Sequence, residues 1–269
     1  MPEKLWEEVQ DLIQVGMGIP ALFNDEVAVA AKRRLGVSWA KVIDLMLNSG
    51  VCPVTDEALF LQKPRDLARV GTFEELFDWY KKELCHFVDL GIRQLNISDR
   101  HFPRLSPSPF LSSTVEGCIE AGRDVTEGST VYNFSSVNGC GMANAVNSLV
   151  AIKRLVSEER KMPLHELAKA LRQGDDILLK RLERYPKFGN DGDEPDTMMK
   201  DLVEVFCREV DGHRNPRGGG GFRRGCTRCG GTSTWGGSRA ISPTAAVGDC
   251  PSRAASLLPR APICQDPPP

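Results

Sequence analysis

The stretch NFSSVNGCGMAN, residues 133–144, places one cysteine between two glycines and beside several hydroxyl and amide side chains. A thiol held on a strained loop can serve as a catalytic nucleophile. The same residues also suit the start of an amphipathic helix, where Cys140 would only pack at a turn. The choice between these two interpretations depends on what surrounds the stretch.

A second thiol, Cys118 in EGCIEAG, has Glu120 two residues further on. A thiol beside a carboxylate invites interpretation as a nucleophile with an adjacent base. A structural cysteine is the competing interpretation, and it is the one that we favour. The motifs G-x-S-x-G, Walker A and H-E-x-x-H are absent from the sequence, and its four histidines are scattered.

Two clusters raise the question of a metal. Cys226 and Cys229 form a CxxC motif, but a zinc ribbon requires a second close pair, and Cys250 and Cys264 stand singly among prolines. The acidic run GNDGDEPD, residues 189–196, lacks the EF-hand order and its closing glutamate, so it predicts a solvated loop before a helix. No metal-binding or cofactor-binding residue is therefore assigned.

Residues 1–215 are predominantly helical by pattern, because apolar side chains recur there at helical spacing. Capping residues mark several of the helix starts. The predicted helices run from Leu5 to Ile13, from Asn24 or Asp25 to Gly36, over 39–47 with Ser38 as cap, from a capping box at Thr72 and Glu75 to about Leu95, over 142–156, from Pro163 to Leu171, and over 196–210. The best strand signal is TVYNF, residues 130–134.

Residues 216–269 differ in composition from the rest of the chain. They contain seven arginines, no lysine and two acidic residues, and they are rich in glycine, proline, alanine and serine. Such a segment buries too little apolar surface to offset its chain entropy, so we predict a disordered tail. Its block RGGGGFRRG, residues 217–225, is typical of arginine-glycine segments that bind RNA, but it is a single short block.

The overall composition gives no sign of a membrane or nucleic-acid protein. The net charge is −2, and no apolar run reaches the roughly 18 residues of a membrane span. The N-terminal residues are too acidic for a signal or transit peptide. With neither a span nor a targeting segment, we expect a cytoplasmic location. In that location nine cysteines without a regular framework are more typical of reduced thiols than of disulfides.

Five blocks in the same order resemble the glycyl radical enzymes related to pyruvate formate-lyase. The resemblance covers about residues 3–219. The blocks are MGIPALFNDEV (17–27), PSPFLSS (107–113), the long stretch 117–156, PKFGNDGDEPD (186–196) and RNPRGG (214–219).

This resemblance implies an α/β fold, a barrel of ten strands surrounded by helices, in chains much longer than 269 residues. Residues 1–215 would be a partial domain of that barrel, and 216–269 a separate tail. The family stores a radical on a backbone glycine and passes it to a cysteine on a loop inside the barrel, where it cleaves a bond of a small substrate. A separate activating enzyme with an iron-sulfur cluster and S-adenosylmethionine installs the radical. Family members are homodimers, which we do not assume for a fragment.

The sequence departs from the family pattern at both radical sites. The reactive loop, usually Gly-Cys-Val-Glu, is missing between Ala40 and Lys41. The glycyl loop, roughly Arg-Val-x-Gly-Tyr, is missing downstream, since Arg-Val-Gly occurs only at 69–71. We hypothesise a frameshift near Gly218, which would explain the arginine-rich tail, and a lost segment near Ala40. The resemblance also implies that this chain does not contain the N-terminal half of the barrel.

Cys118 and Cys140 match a later block of the family than the reactive loop, so neither corresponds to the radical-bearing cysteine. Cys140 is therefore interpreted as packing at a strand-to-helix turn, and no catalytic residue is assigned.

The expected function is that of a fragment of a lyase or formate acetyltransferase that is inactive as written. The substrate stays open, although residues 133–144 favour a dehydratase or decarboxylase over pyruvate formate-lyase itself. The alternative is a non-catalytic helical binding protein whose basic tail engages RNA or an acidic partner. Half a barrel would expose strand edges, so we expect aggregation unless the remainder is supplied in trans.

Overall fold

A computed structural model of the chain describes residues 12–15, 19–22, 34–52, 55–59, 65–130, 133, 135–218 and 222–227. This part of the protein is predominantly helical, as the apolar spacing predicts. The helices are α1 (Trp39–Leu47), α2 (Phe73–Leu105), α3 (Pro109–Ser112), α4 (Cys118–Ala121), α5 (Met142–Ile152), α6 (Leu164–Gln173), α7 (Asp176–Leu182) and α8 (Asp193–Asp211). A π-helix over Lys153–Glu158 continues α5, and 3-10 turns cover Leu67–Arg69 and Val125–Glu127.

The described strands form two sheets. Strands β1 (Leu12–Val15) and β2 (Ile19–Leu22) make an antiparallel hairpin in which Leu12 lies opposite Leu22. Strands β3 (Arg34–Ser38), β4 (Ser135–Cys140) and β5 (Phe222–Thr227) form a three-stranded sheet in that order. The central strand β4 thus pairs with segments about one hundred and about eighty residues away in the chain.

Several sequence predictions were wrong for residues that lie in strands. Leu12 and Ile13 belong to β1 and not to a helix, and Gly36 lies within β3 and does not end a helix. Of the predicted strand at 130–134, Thr130 and Asn133 lie in no strand, the rest lies outside the described residues, and the observed strand β4 begins at Ser135. Short apolar runs fit a helix and a strand equally well, so periodicity alone could not separate them. The rest of the two predicted N-terminal helices lies outside the described residues.

The predicted helix starts at α1 and α2 are confirmed by their caps. Ser38 Oγ accepts a hydrogen bond from Lys41 N at 3.3 Å. Thr72 Oγ1 accepts from Glu75 N at 3.2 Å, while the Glu75 carboxylate accepts from Gly71 N at 3.0 Å. Both ends of this capping arrangement satisfy backbone donors that the first turn of a helix leaves without partners.

The predicted disordered tail contains a strand, β5, at Phe222–Thr227. The expectation of disorder from residue 216 onward is therefore wrong for this segment. Glycine and arginine gave no strand period there, and pairing with the sheet supplies the hydrogen bonds that local propensity does not. Residues 228–269, which make up most of the predicted tail, lie outside the described residues.

The chain divides into two compact units. The first comprises residues 1–35, 90–138 and 209–225, and the second comprises 36–89, 139–208 and 226–269. In the second unit the indole of Trp39 packs against Phe206 with 5.5 Å between ring centroids, and Tyr80 donates from its hydroxyl to Trp39 O at 3.2 Å. Among the described residues, no helix is long and apolar enough to cross a membrane.

Candidate functional site at the end of strand β4

Strand β4 has one buried face and one partly accessible polar face, as the alternation of side chains along a strand requires. The buried positions are Ser135, Val137 and Gly139. The half-buried positions are Ser136, Asn138 and Cys140, and Ser136 Oγ donates to Asn138 Oδ1 at 3.2 Å. The end of β4 therefore presents a hydroxyl, an amide and a thiol in one row.

The turn after β4 depends on glycine. Gly141 has φ of 67°, a left-handed backbone that glycine adopts without steric cost, and α5 begins at Met142. Cys140 therefore lies at a strand-to-helix turn, as the sequence predicted. Its Sγ is 3.5 Å from where a Cβ on Gly36 would lie, so the thiol packs closely on β3.

Gly139 is required by the indole that lies against it. A Cβ at this position would be 2.9 Å from Trp39 Nε1 and 3.1 Å from Met142 Sδ. The Trp39 side chain is fully buried, and its Nε1 has no hydrogen-bond partner among the described residues. The indole thus occupies the space that a larger residue on β4 would need.

The connection from β3 to α1 is direct. Strand β3 ends at Ser38, and Ser38 is also the cap of α1. Ala40 and Lys41 are successive buried residues in the first turn of α1. The chain therefore passes directly from strand to helix at the position where the sequence resemblance led us to expect a deleted loop.

Lys41 is part of a buried charged group on α1. Its Nζ donates to Asp44 Oδ2 at 2.9 Å and to Cys52 Sγ at 3.1 Å. Burial raises the pKa of Asp44 above its ordinary value, against the opposing hydrogen bond and charge of Lys41. The sequence analysis missed this group, although two charged residues in the otherwise apolar helix WAKVIDLML indicate a buried pair.

Cys118 lies in a small apolar cluster in the first unit, formed with Val115 and Val125. Ser129 Oγ donates to its sulfur at 3.1 Å, whereas Glu120 is exposed to solvent. The structure does not bring thiol and carboxylate together, so this cysteine has no adjacent base from Glu120. The burial of Cys118 fits a structural role.

The segment RNPRGG is anchored in the first unit by a buried ion pair. Arg217 Nε donates to Asp99 Oδ2 at 3.2 Å, and Arg217 Nη2 donates to Ser135 Oγ at 2.8 Å. Asn215 Nδ2 donates to Asn133 O at 2.5 Å. The sequence analysis missed Asp99. This residue lies seven positions, or about two helical turns, after the buried Ile92, and so on the same face of α2.

The acidic run 189–196 leads into α8, which begins at Asp193. Glu194 accepts from Lys153 Nζ at 2.5 Å and from Arg154 Nη2 at 2.6 Å. Partial burial would raise the pKa of Glu194, but the hydrogen bonds and charges of these two cations outweigh it and lower the pKa. Within the described residues no group of three or more histidine, cysteine or acidic side chains could hold a metal ion. The CxxC cysteine side chains lie outside them.

Comparison with known proteins identifies the class. Residues 34–227 match the model of the family described as pyruvate formate lyase-like, and the chain therefore belongs to this family of glycyl radical enzymes. The match runs through β5, beyond residue 219 where the sequence resemblance had ended.

Individual relatives are dehydratases. The chain is 28% identical over 252 residues to trans-4-hydroxy-L-proline dehydratase of Clostridioides difficile, covering 81% of this chain and 32% of that protein. It is 27% identical to (2S)-3-sulfopropanediol dehydratase of Klebsiella oxytoca, covering 81% of this chain and 31% of the relative.

The structure is similar to that of the glycerol-bound, B12-independent glycerol dehydratase of Clostridium butyricum, with a TM-score of 0.67 and 31% identity. The similarity covers 81% of this chain and 27% of that one. The chain thus spans about a third of the length of the curated dehydratases that it matches.

Proposed function

We propose that the chain is part of a glycyl radical enzyme of the dehydratase type, and that it does not carry out the radical reaction by itself. The proposed parent activity removes water, by radical C–O bond cleavage, from a small hydroxylated substrate. Two of the sequence relatives and the structural relative are dehydratases by name, whereas other relatives are sulfite-lyases or a decarboxylase. The named dehydratases favour dehydration over formate acetyl transfer.

The observation that carries the proposal of inactivity is the junction of β3 and α1. Ser38 ends the strand and caps the helix, so Trp39 to Lys41 are already helical and buried. A loop that presents a cysteine to a substrate would have to be inserted into this first turn. Of the described thiols, Cys52 and Cys118 are buried, and Cys85 and Cys207 lie within helices α2 and α8. Cys140 ends strand β4, but it matches a later block of the family than the reactive loop, so we do not propose it as the radical-bearing cysteine.

The polar row Ser136, Asn138 and Cys140 on β4 is the proposed remnant of the substrate-facing surface. A hydroxylated substrate requires hydrogen-bonding groups of this kind, and the row lies at the end of a strand, just before a helix. In this proposal the parent enzyme needs a glycyl radical and an activating enzyme that uses S-adenosylmethionine and an iron-sulfur cluster.

The test is a dehydration assay in the absence of oxygen with a radical activating enzyme. The purified chain is incubated with trans-4-hydroxy-L-proline, glycerol or sulfopropanediol, in parallel with the full-length C. difficile dehydratase as positive control. We expect product from the control and none from the chain. Turnover of any of these substrates by the chain would contradict the proposal.

A peptide map of the natural protein tests the junction itself. Trypsin is expected to release the peptide LGVSWAK, residues 35–41, which contains the Ala40–Lys41 bond. Recovery of this peptide supports the direct strand-to-helix connection. A longer peptide that carries a cysteine between Ala40 and Lys41 would refute it.

A further inference from the structure

Lys41 and Cys52 place two nucleophilic groups in direct contact inside the second unit. Lys41 Nζ lies 3.1 Å from Cys52 Sγ, and the two residues are only 4% and 0% exposed. The pair is eleven residues apart in sequence, so the fold and not local geometry brings the atoms together.

Both partners are held in place by further hydrogen bonds. Asp44 accepts from Lys41 at one carboxylate oxygen and from Asn48 Nδ2 at the other, 3.2 Å away. Cys52 N donates to Glu57 O at 2.9 Å, and Cys52 O accepts from Asp56 N at 2.9 Å. The amine and the thiol therefore keep one relative position, so that the two groups are placed to join once each has been oxidised.

We propose that Lys41 and Cys52 form an oxidative modification site, at which hydrogen peroxide links Nζ to Sγ through one oxygen atom. This inference does not depend on the proposed function. A cation beside a cysteine favours the thiolate, which is the form that peroxide oxidises, whereas an apolar setting disfavours it.

The reaction balances with two molecules of peroxide. The first oxidises the thiol to a sulfenic acid and releases water. Lys41 passes its extra proton to the Asp44 carboxylate, and the second peroxide oxidises the free amine to a hydroxylamine and releases water. The hydroxylamine oxygen then attacks the sulfenic sulfur, and the S–OH bond breaks to release a third water. The product holds one oxygen more and two hydrogens fewer than the starting pair.

The position of Cys52 allows a small oxidant to arrive. The residue precedes a turn whose members Thr55, Asp56 and Glu57 are exposed, and the bridge between Val51 and Ala58 closes this turn. Local opening of such a turn costs less free energy than global unfolding. Hydrogen peroxide is small enough to use an opening that excludes bulky alkylating reagents.

The experiment treats the full-length folded chain with hydrogen peroxide and then maps it with trypsin and tandem mass spectrometry. Trypsin cannot cut after a modified Lys41, and Pro64 blocks the site after Lys63. We expect peptide 35–65 to appear, heavier by one oxygen less two hydrogens, while peptide 42–65 disappears. Dithiothreitol should restore the cut after Lys41.

An unfolded sample, two variants and an internal reporter thiol keep the proposal falsifiable. The same chain unfolded in urea before peroxide should give no link, because the contact depends on the fold. The variants Cys52→Ser and Lys41→Arg should also give none, and Cys207, which is half-buried, reports that peroxide was active. The proposal is overturned if Cys207 is oxidised while trypsin still cuts fully after Lys41, or if the linked mass persists in Cys52→Ser.

Discussion

At the scale of one residue, Gly139, near the end of β4, has no room for a larger side chain, because Trp39 packs against it. Alanine there would place its Cβ 2.9 Å from Trp39 Nε1, and the fully buried indole has no space to move into. We expect Gly139→Ala to lower the free energy of unfolding by about 1–3 kcal/mol, the usual cost of overpacking a core. Urea denaturation followed by tryptophan fluorescence measures the change.

Gly36→Ala is the matched control for this substitution. Gly36 lies in the neighbouring strand β3, and its added Cβ would meet Cys140 Sγ at an ordinary contact distance of 3.5 Å. We expect the stability of this variant to stay within about 0.5 kcal/mol of the original, as for substitutions that create no strain. Equal losses in the two variants would show that contact with Trp39 is not the cause.

The ion pair of Arg217 with Asp99 gives a second prediction at this scale. Arg217→Met leaves the Asp99 carboxylate buried without its charged partner, so we expect a loss of about 3–5 kcal/mol. Arg208→Met is the control, because Arg208 and its partner Glu204 are both largely exposed and such pairs contribute about 0–1 kcal/mol. Thermal unfolding of both variants decides whether the anchor of RNPRGG is energetically significant.

At the scale of the element, the start of α8 is tied to the π-helix by Glu194. The lowered pKa of Glu194 means that its ionised form is the one stabilised in the folded protein. This contribution is present above the ordinary carboxyl pKa of 4.5 and is lost as the pH falls through the lower folded value. We therefore expect the Tm of the original chain to fall more steeply below about pH 4.5 than that of Glu194→Gln.

Glu204→Gln, on the exposed face of the same helix, should retain the steep acid dependence of the original chain. Parallel Tm curves for the original and Glu194→Gln would contradict the assignment of this ion-pair cluster to α8 stability. Differential scanning fluorimetry over the acid range is sufficient for the comparison.

The helices were more predictable from sequence than the strands, for a local reason. Ser38, Thr72 and Glu75 mark the starts of their helices through capping hydrogen bonds that span three or four residues. Strand β4 consists mainly of serine, asparagine, glycine and cysteine, which carry no strand signal by themselves. Its pairing with β3 and β5 depends on distant segments, which a local pattern does not contain.

The candidate site was partly predictable in the same way. The turn at Cys140 could be read from its glycines, but Asp99 and Arg217 lie 118 positions apart and meet only in the fold. The Lys41–Cys52 contact joins helix α1 to a residue eleven positions further along the chain, beyond the end of the helix. Lys41 and Asp44 are noticeable as charged residues in the otherwise apolar helix α1, whereas the partners of Asp99 and Arg217 could not be named from the sequence.

At the scale of the whole molecule, the chain matches its family over 34–227 while spanning about a third of its dehydratase relatives. The family match and the three-stranded sheet both extend past residue 215, where the change in composition predicted a boundary. Whether residues 216–269 act as a separate segment stays a prediction. The direct passage from β3 to α1 is the feature that separates this chain from a working radical enzyme in our proposal.

Electron paramagnetic resonance after activation tests most directly the proposal that this chain does not carry out the radical reaction by itself. The chain is incubated without oxygen with S-adenosylmethionine, a reductant and a glycyl radical activating enzyme, and the full-length C. difficile dehydratase with its own activating enzyme serves as positive control. We expect a glycyl radical doublet from the control and no doublet from this chain, because the pattern Arg-Val-x-Gly-Tyr does not occur in its sequence. A doublet from this chain would contradict the account and show that a radical site lies within these 269 residues.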